Sequence, residues 1–173
     1  MLKTLVEARL GRVIDEVQAN VLANLAREWL WWPHDTPTVP GLAAELLASG
    51  FSTDKMALLA GLSRHDDRRE IQEAFNGAMT ELGLDWYSTD RRRDAELRCA
   101  LCCEVIRRRA VRPTVGAQYF AHSYFYDLRE DPGAVYLPLV GLVVELEESD
   151  VSSQCRFDRF ILEYLDKKDL GGD

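Results

Sequence analysis

Cys99, Cys102 and Cys103 stand at i, i+3 and i+4, so on a helix their three thiols converge on one side. Joined by Cys155 or His122, they would make the four-donor set that zinc prefers. The same spacing also fits simple packing. Ala95, Cys99, Cys102 and Ile106 recur on one helical face, and Leu97, Leu101 and Val105 on another. A helix apolar on two sides is central, and cysteine is among the residues most often buried. Paired zinc-knuckle spacing is absent, so these cysteines are expected in the core and no metal or other cofactor is expected. The histidines make a second set. His34 precedes Asp35, His65 precedes Asp66, and His122 lies near Asp127.

Read in chain order, His34, the doublet His65-Asp66 and the distant Asp127 resemble the metal-ligand pattern of HD-domain phosphohydrolases. The resemblance implies an all-α enzyme in which these four residues hold a divalent metal that activates water. Asp66 also stands where a helix wants a cap. Other catalytic signatures are missing: there is no G-x-S-x-G elbow, phosphate-binding Gly-rich loop, H-E-x-x-H or G-x-G-x-x-G. The spacing therefore singles out no catalytic residue.

Charge supplies a different kind of chemistry. Glu145, Glu147, Glu148 and Asp150 follow one another with no basic residue among them. Upstream, eight arginines between Arg91 and Arg112 face only Asp90, Asp94, Glu96 and Glu104. Either these are two recognition faces, or they meet inside the fold or are solvated helix surfaces. Trp29, Trp31 and Trp32 crowd the end of the first helical segment. Helical spacing sends Trp29 and Trp32 to one face and Trp31 away from it, which makes Trp31 and Trp32 candidate contact residues. The net charge of −8 argues against nucleic-acid binding, because phosphates are repelled at long range.

The elements that must position these groups are punctuated helices. Val6, Leu10, Val13, Val17, Val21 and Leu25 make a stripe through residues 1–32, a long N-terminal helix or a helix pair around Gly11. Pro33, Pro37 and Pro40 enclose a connector near residues 33–41. The helical body, residues 42–173, opens with short helices ending at Gly50 and near Gly61. Next, Asp66 or Asp67 caps a helix with apolar steps at Ile71, Phe75, Met79 and Leu82, which Gly83 ends. Further helices follow: one from Asp90 to about Arg109, one from Pro113, and one capped by Ser152 or Ser153. Pro138 either kinks the segment after Asp131-Pro132 or delays its start, although the composition of Val135–Val144 also fits a buried strand. The 173 residues thus predict an all-α, single-domain bundle of seven or eight helices.

Compartment follows from what interrupts the apolar runs. Glu7, Arg9, Arg12, Asp15 and Glu16 break any signal-peptide core, and Ala134–Val144 is too short to span a bilayer. A cytoplasmic chain with reduced thiols and no membrane partner is expected.

The run Met56-Ala-Leu-Leu-Ala-Gly-Leu-Ser63, followed by Asp67 to Leu84, resembles small all-helical bacterial immunity proteins. That resemblance implies a non-catalytic binding module that covers the active site of a toxin. Glu145, Glu147, Glu148 and Asp150 would then meet a basic surface, with Trp31 or Trp32 as aromatic anchor. Homo-oligomerisation through exposed aromatics is a further option.

Overall fold

A computed structural model describes residues 2–31, 38–84, 91–124, 137–149 and 153–167. Among them there are nine helices and no strand, so the protein is all-α. The helices condense into two compact units, Leu2–Asp85 and Trp86–Asp173.

In the first unit the N-terminal pattern resolves into a helix pair, α1 (Leu2–Leu10) and α2 (Glu16–Trp31). Gly11 between them has φ +65°, a conformation that costs glycine little. Its N–H closes onto the Glu7 carbonyl at 2.8 Å, and the Glu7 carboxylate takes the Ile14 N–H at 2.8 Å. α2 opens on a reciprocal cap: Asp15 Oδ1 accepts from Gln18 N at 2.8 Å, and Gln18 Oε1 from Asp15 N at 3.2 Å. The interruption shifts the helical phase. Val13 and Val17, core positions on an unbroken stripe, are instead 86% and 65% exposed. Leu25 of the predicted stripe is buried, and Leu22, Trp29 and Leu30 join it among the buried residues of α2.

α3 (Val39–Ala48), α4 (Asp54–Ala60) and α5 (Arg68–Glu81) complete this unit, with α3 packed on α2 and α4, and α4 on α5. Glycine ends α3 and α5 in the same way. Gly50 and Gly83 lie at positive φ. Phe51 N then bonds the Leu46 carbonyl at 3.0 Å, and Leu84 N the Met79 carbonyl at 2.8 Å. Each is a Schellman closure, and the residue after each glycine, Phe51 or Leu84, is buried. Thr53 caps α4 through Met56 N at 3.3 Å, while Glu81 Oε2 reaches from α5 to Lys55 N at 2.9 Å. Leu46, Phe51, Met56, Leu59, Phe75 and Met79 fill the interior. Each such side chain contributes about 1.5–3 kcal/mol by leaving water.

The second unit holds α6 (Arg91–Arg107), α7 (Pro113–Tyr124), α8 (Leu137–Glu147) and α9 (Gln154–Lys167). α7 packs on α6, α8 and α9. From Cys99 to Ile106, α6 is buried at every position except Ala100. α9 presents the stripe Phe157, Ile161 and Leu165. Pro138 sits in the first turn of α8, where a missing N–H costs nothing, so the helix starts late and does not kink. The apolar run ending at Val144 is therefore helical where it is described, from Leu137 onward.

Candidate functional site

α8 buries Leu139, Val143 and Leu146, at steps of four and three, and this places Glu145, Glu147 and Glu148 on the surface. No basic residue shares the last turn of α8. The carbonyl dipoles there are already negative, so each added carboxylate costs about 0.3–1 kcal/mol in place of the stabilisation a lysine would give. Glu147 Oε1 lies 2.8 Å from His122 Nε2 of α7, both groups solvent-facing. Among the described residues no cation pairs with Glu145 or Glu148. Ser149 Oγ donates to the Glu145 carbonyl at 2.6 Å and finishes the helix. Val144, 50% exposed, stands beside the acids. Asp150 lies outside the described residues.

The arginine-rich stretch behaves differently, because much of its C-terminal half is consumed inside the second unit. Glu104 is 4% exposed, and Arg107 Nη1 (3.2 Å) and Arg108 Nε (2.8 Å) bracket its carboxylate. Arg107 Nη2 also donates to the Leu165 carbonyl of α9 at 2.7 Å, and its Nε lies 3.9 Å from Asp166. Asp158 of α9 serves two donors at once: Arg112 Nε at 3.0 Å and Thr114 N, in the first turn of α7, at 2.9 Å. These arginines thus bind Glu104, Asp158 and Asp166, not the carboxylates of residues 145–148.

Cys99, Cys102 and Cys103 are buried and Cys155 is exposed, all four as thiols. Burial pushes the Cys102 and Cys103 thiols well above their ordinary range, and neighbouring sulfurs push further in the same direction. Cys102 Sγ faces the Gly116 carbonyl of α7 at 3.9 Å. Among the described residues no three His, Cys, Asp or Glu side chains are arranged to hold a metal.

Of the four residues in the HD-like pattern, His34 and Asp127 lie outside the described residues. His65 is exposed in the turn before α5 and accepts from Arg64 Nε at 3.2 Å. Asp66 closes that turn by accepting from Ser63 N at 2.7 Å. The cap of α5 falls to Asp67, whose Oδ1 accepts from Arg69 N at 2.7 Å. Of the tryptophans, Trp29 is buried edge-on against Phe75, ring centres 5.1 Å apart. Trp31 is half-buried at the end of α2, and Trp32 lies outside the described residues.

One feature escapes sequence reasoning altogether. In the first unit, α2, α3 and the turn after α4 enclose a surface groove of about 780 Å³. Asn24, Arg27, Glu45 and Arg64 supply its charged and amide groups, while Pro40 and Leu62 are among its apolar walls. The polar residues come from three separate segments, so no spacing rule brings them together. No described helix is long and apolar enough to cross a membrane. No protein-family model, curated protein or solved structure matches the chain.

Proposed function

We propose that the protein is a non-catalytic protein-binding module, and specifically an inhibitor of the immunity type that covers the active site of a toxin. The observation that carries the reading is the exposed carboxylate cluster Glu145, Glu147 and Glu148 at the C-terminal end of α8. Its placement works against the helix dipole, so stability of α8 does not account for it. A surface of this kind complements a basic cleft, and opposite charge accelerates encounter between partners. The absence of any catalytic motif in the sequence and the resemblance of Met56–Leu84 agree with a binding role. Trp31, half-buried in the first unit, is a separate candidate contact.

The test couples capture to kinetics. Tagged full-length protein is recovered from cells challenged with competing bacteria, and native mass spectrometry identifies a stoichiometric partner. Association is then followed over a salt series for the native chain and for Glu145→Lys/Glu148→Lys. The expected outcome is an association rate about tenfold lower at low salt for the double variant, with a flattened salt dependence. Equal rates for both proteins across the series overturn the role given to α8.

A further inference from the structure

We propose that the groove of the first unit binds a small organic ion that carries an anionic group at one end and an amine at the other. Its volume, about 780 Å³, falls within the range of small-molecule sites. Two arginines line it. Arg27 forms an ion pair with Glu28, a carboxylate only 6% exposed, which restrains its side chain. Arg64 enters from the turn after α4, its Nε engaged by His65, and among the described residues no carboxylate pairs with it. Arginine presents five donors in a geometry that matches carboxylate and phosphate oxygens. The Asn24 amide, already donating to the Asn20 carbonyl at 3.1 Å, keeps its own carbonyl as an acceptor.

The remaining charged group sets the other end of the ligand. Glu45 lines the same groove, and among the described residues neither arginine nor any other cation forms an ion pair with it. A groove that keeps an arginine and a glutamate in the same lining without joining them fits a molecule that separates opposite charges. The apolar wall at Pro40 and Leu62 suits a short methylene linker between the two ends. This site belongs to the first unit, and its proposal does not depend on the protein-binding role given to α8.

Isotope-labelled full-length protein titrated with four probes tests the assignment: O-phosphoethanolamine, γ-aminobutyrate, inorganic phosphate and succinate. Saturable amide shifts confined to Asn24, Arg27, Gly41, Glu45 and Arg64 are expected with one or both amine-bearing probes. Whichever of these two binds more tightly identifies the anionic group as phosphate or carboxylate. Arg64→Ala should weaken that probe about tenfold or more, the loss of one charged hydrogen-bonding partner. Glu45→Gln should weaken the amine-bearing probes and leave inorganic phosphate and succinate unchanged. Both substitutions are at exposed residues, and an unchanged amide spectrum away from the groove establishes that the fold is intact. No saturation by about 10 mM of any probe, or equal binding by Arg64→Ala, overturns the site. Inorganic phosphate or succinate binding as tightly as the amine-bearing probes overturns the two-ended ligand.

Discussion

At the residue scale, Arg109 bears the clearest backbone strain. It sits at φ +55°, the one non-glycine at positive φ among the described residues. It closes α6 with the same bond pattern that Gly50 and Gly83 provide elsewhere: Arg109 N to the Ile106 carbonyl at 2.9 Å and Ala110 N to the Val105 carbonyl at 3.1 Å. An L residue in this region costs about 1–2 kcal/mol, part of which glycine returns as unfolded-state entropy. Arg109→Gly is therefore expected to stabilise the protein by about 0.5–1 kcal/mol, read as a higher urea midpoint at unchanged slope. The buried thiols give a second prediction. Iodoacetamide at pH 8 should modify Cys155 rapidly in the native protein and all four cysteines only after denaturation. Because folding raises the Cys102 and Cys103 values, the folded state holds those protons more tightly. That stabilisation is fully present below the unfolded thiol value, about 8.5, and is lost as pH rises from there toward the folded values. A urea midpoint that did not fall between pH 8 and pH 10 would contradict it.

At the scale of elements, the packing of α6 on α7 turns on a missing side chain. A Cβ at Gly116 would lie 2.5 Å from Ile106 Cγ1 and 2.8 Å from Val111 Cγ1, inside any tolerable contact. Gly116→Ala is expected to destabilise by about 1–3 kcal/mol through overpacking, measured by thermal or urea unfolding. Among the described residues nothing beyond the backbone of α8 itself and the residues next to Gly141 lies within 4 Å of a Cβ at Gly141, so Gly141→Ala serves as the opposing control and gains up to about 1 kcal/mol of helix propensity. Most elements were legible from the sequence because capping residues and glycines mark their ends locally. Thr53, Asp67, Gly50 and Gly83 act where their types predict. The phase of α2 was harder to read. Val13 and Val17 fit the apolar stripe as long as the chain stays helical through Gly11, and only the D-x-x-Q pair Asp15 and Gln18 announces the restart. Gly116 gave no signal at all, since close approach of two helices leaves no trace in local spacing.

At the scale of the molecule, length and composition predict one bundle and say nothing of how helices group. The grouping follows packing: Leu2–Asp85 and Trp86–Asp173 each own a buried apolar interior. The Pro-rich connector, the strongest break in the sequence, falls inside the first unit. A fragment spanning residues 1–85 is expected to be helical and to unfold cooperatively in a circular-dichroism melt, because Leu22, Phe51, Met56, Phe75 and Met79 all come from it. A gradual, non-cooperative melt would show that this interior does not suffice. The candidate sites were legible to unequal degrees. An acidic run such as Glu145 to Glu148 is visible as a string of letters, whereas the groove exists only once α2, α3 and the turn after α4 are assembled. The bonds that α9 makes also set an order of events during synthesis. Arg107 waits for the Leu165 carbonyl, 58 positions later, and Thr114 waits for Asp158, 44 positions later. At the usual pace of translation the first interval lasts about 3–12 s. Through those seconds α6, buried from Cys99 to Ile106 at every position except Ala100, has been made while its last partner has not. The nascent chain is then most open to wrong associations, and most in need of a chaperone, between the synthesis of α6 and that of α9.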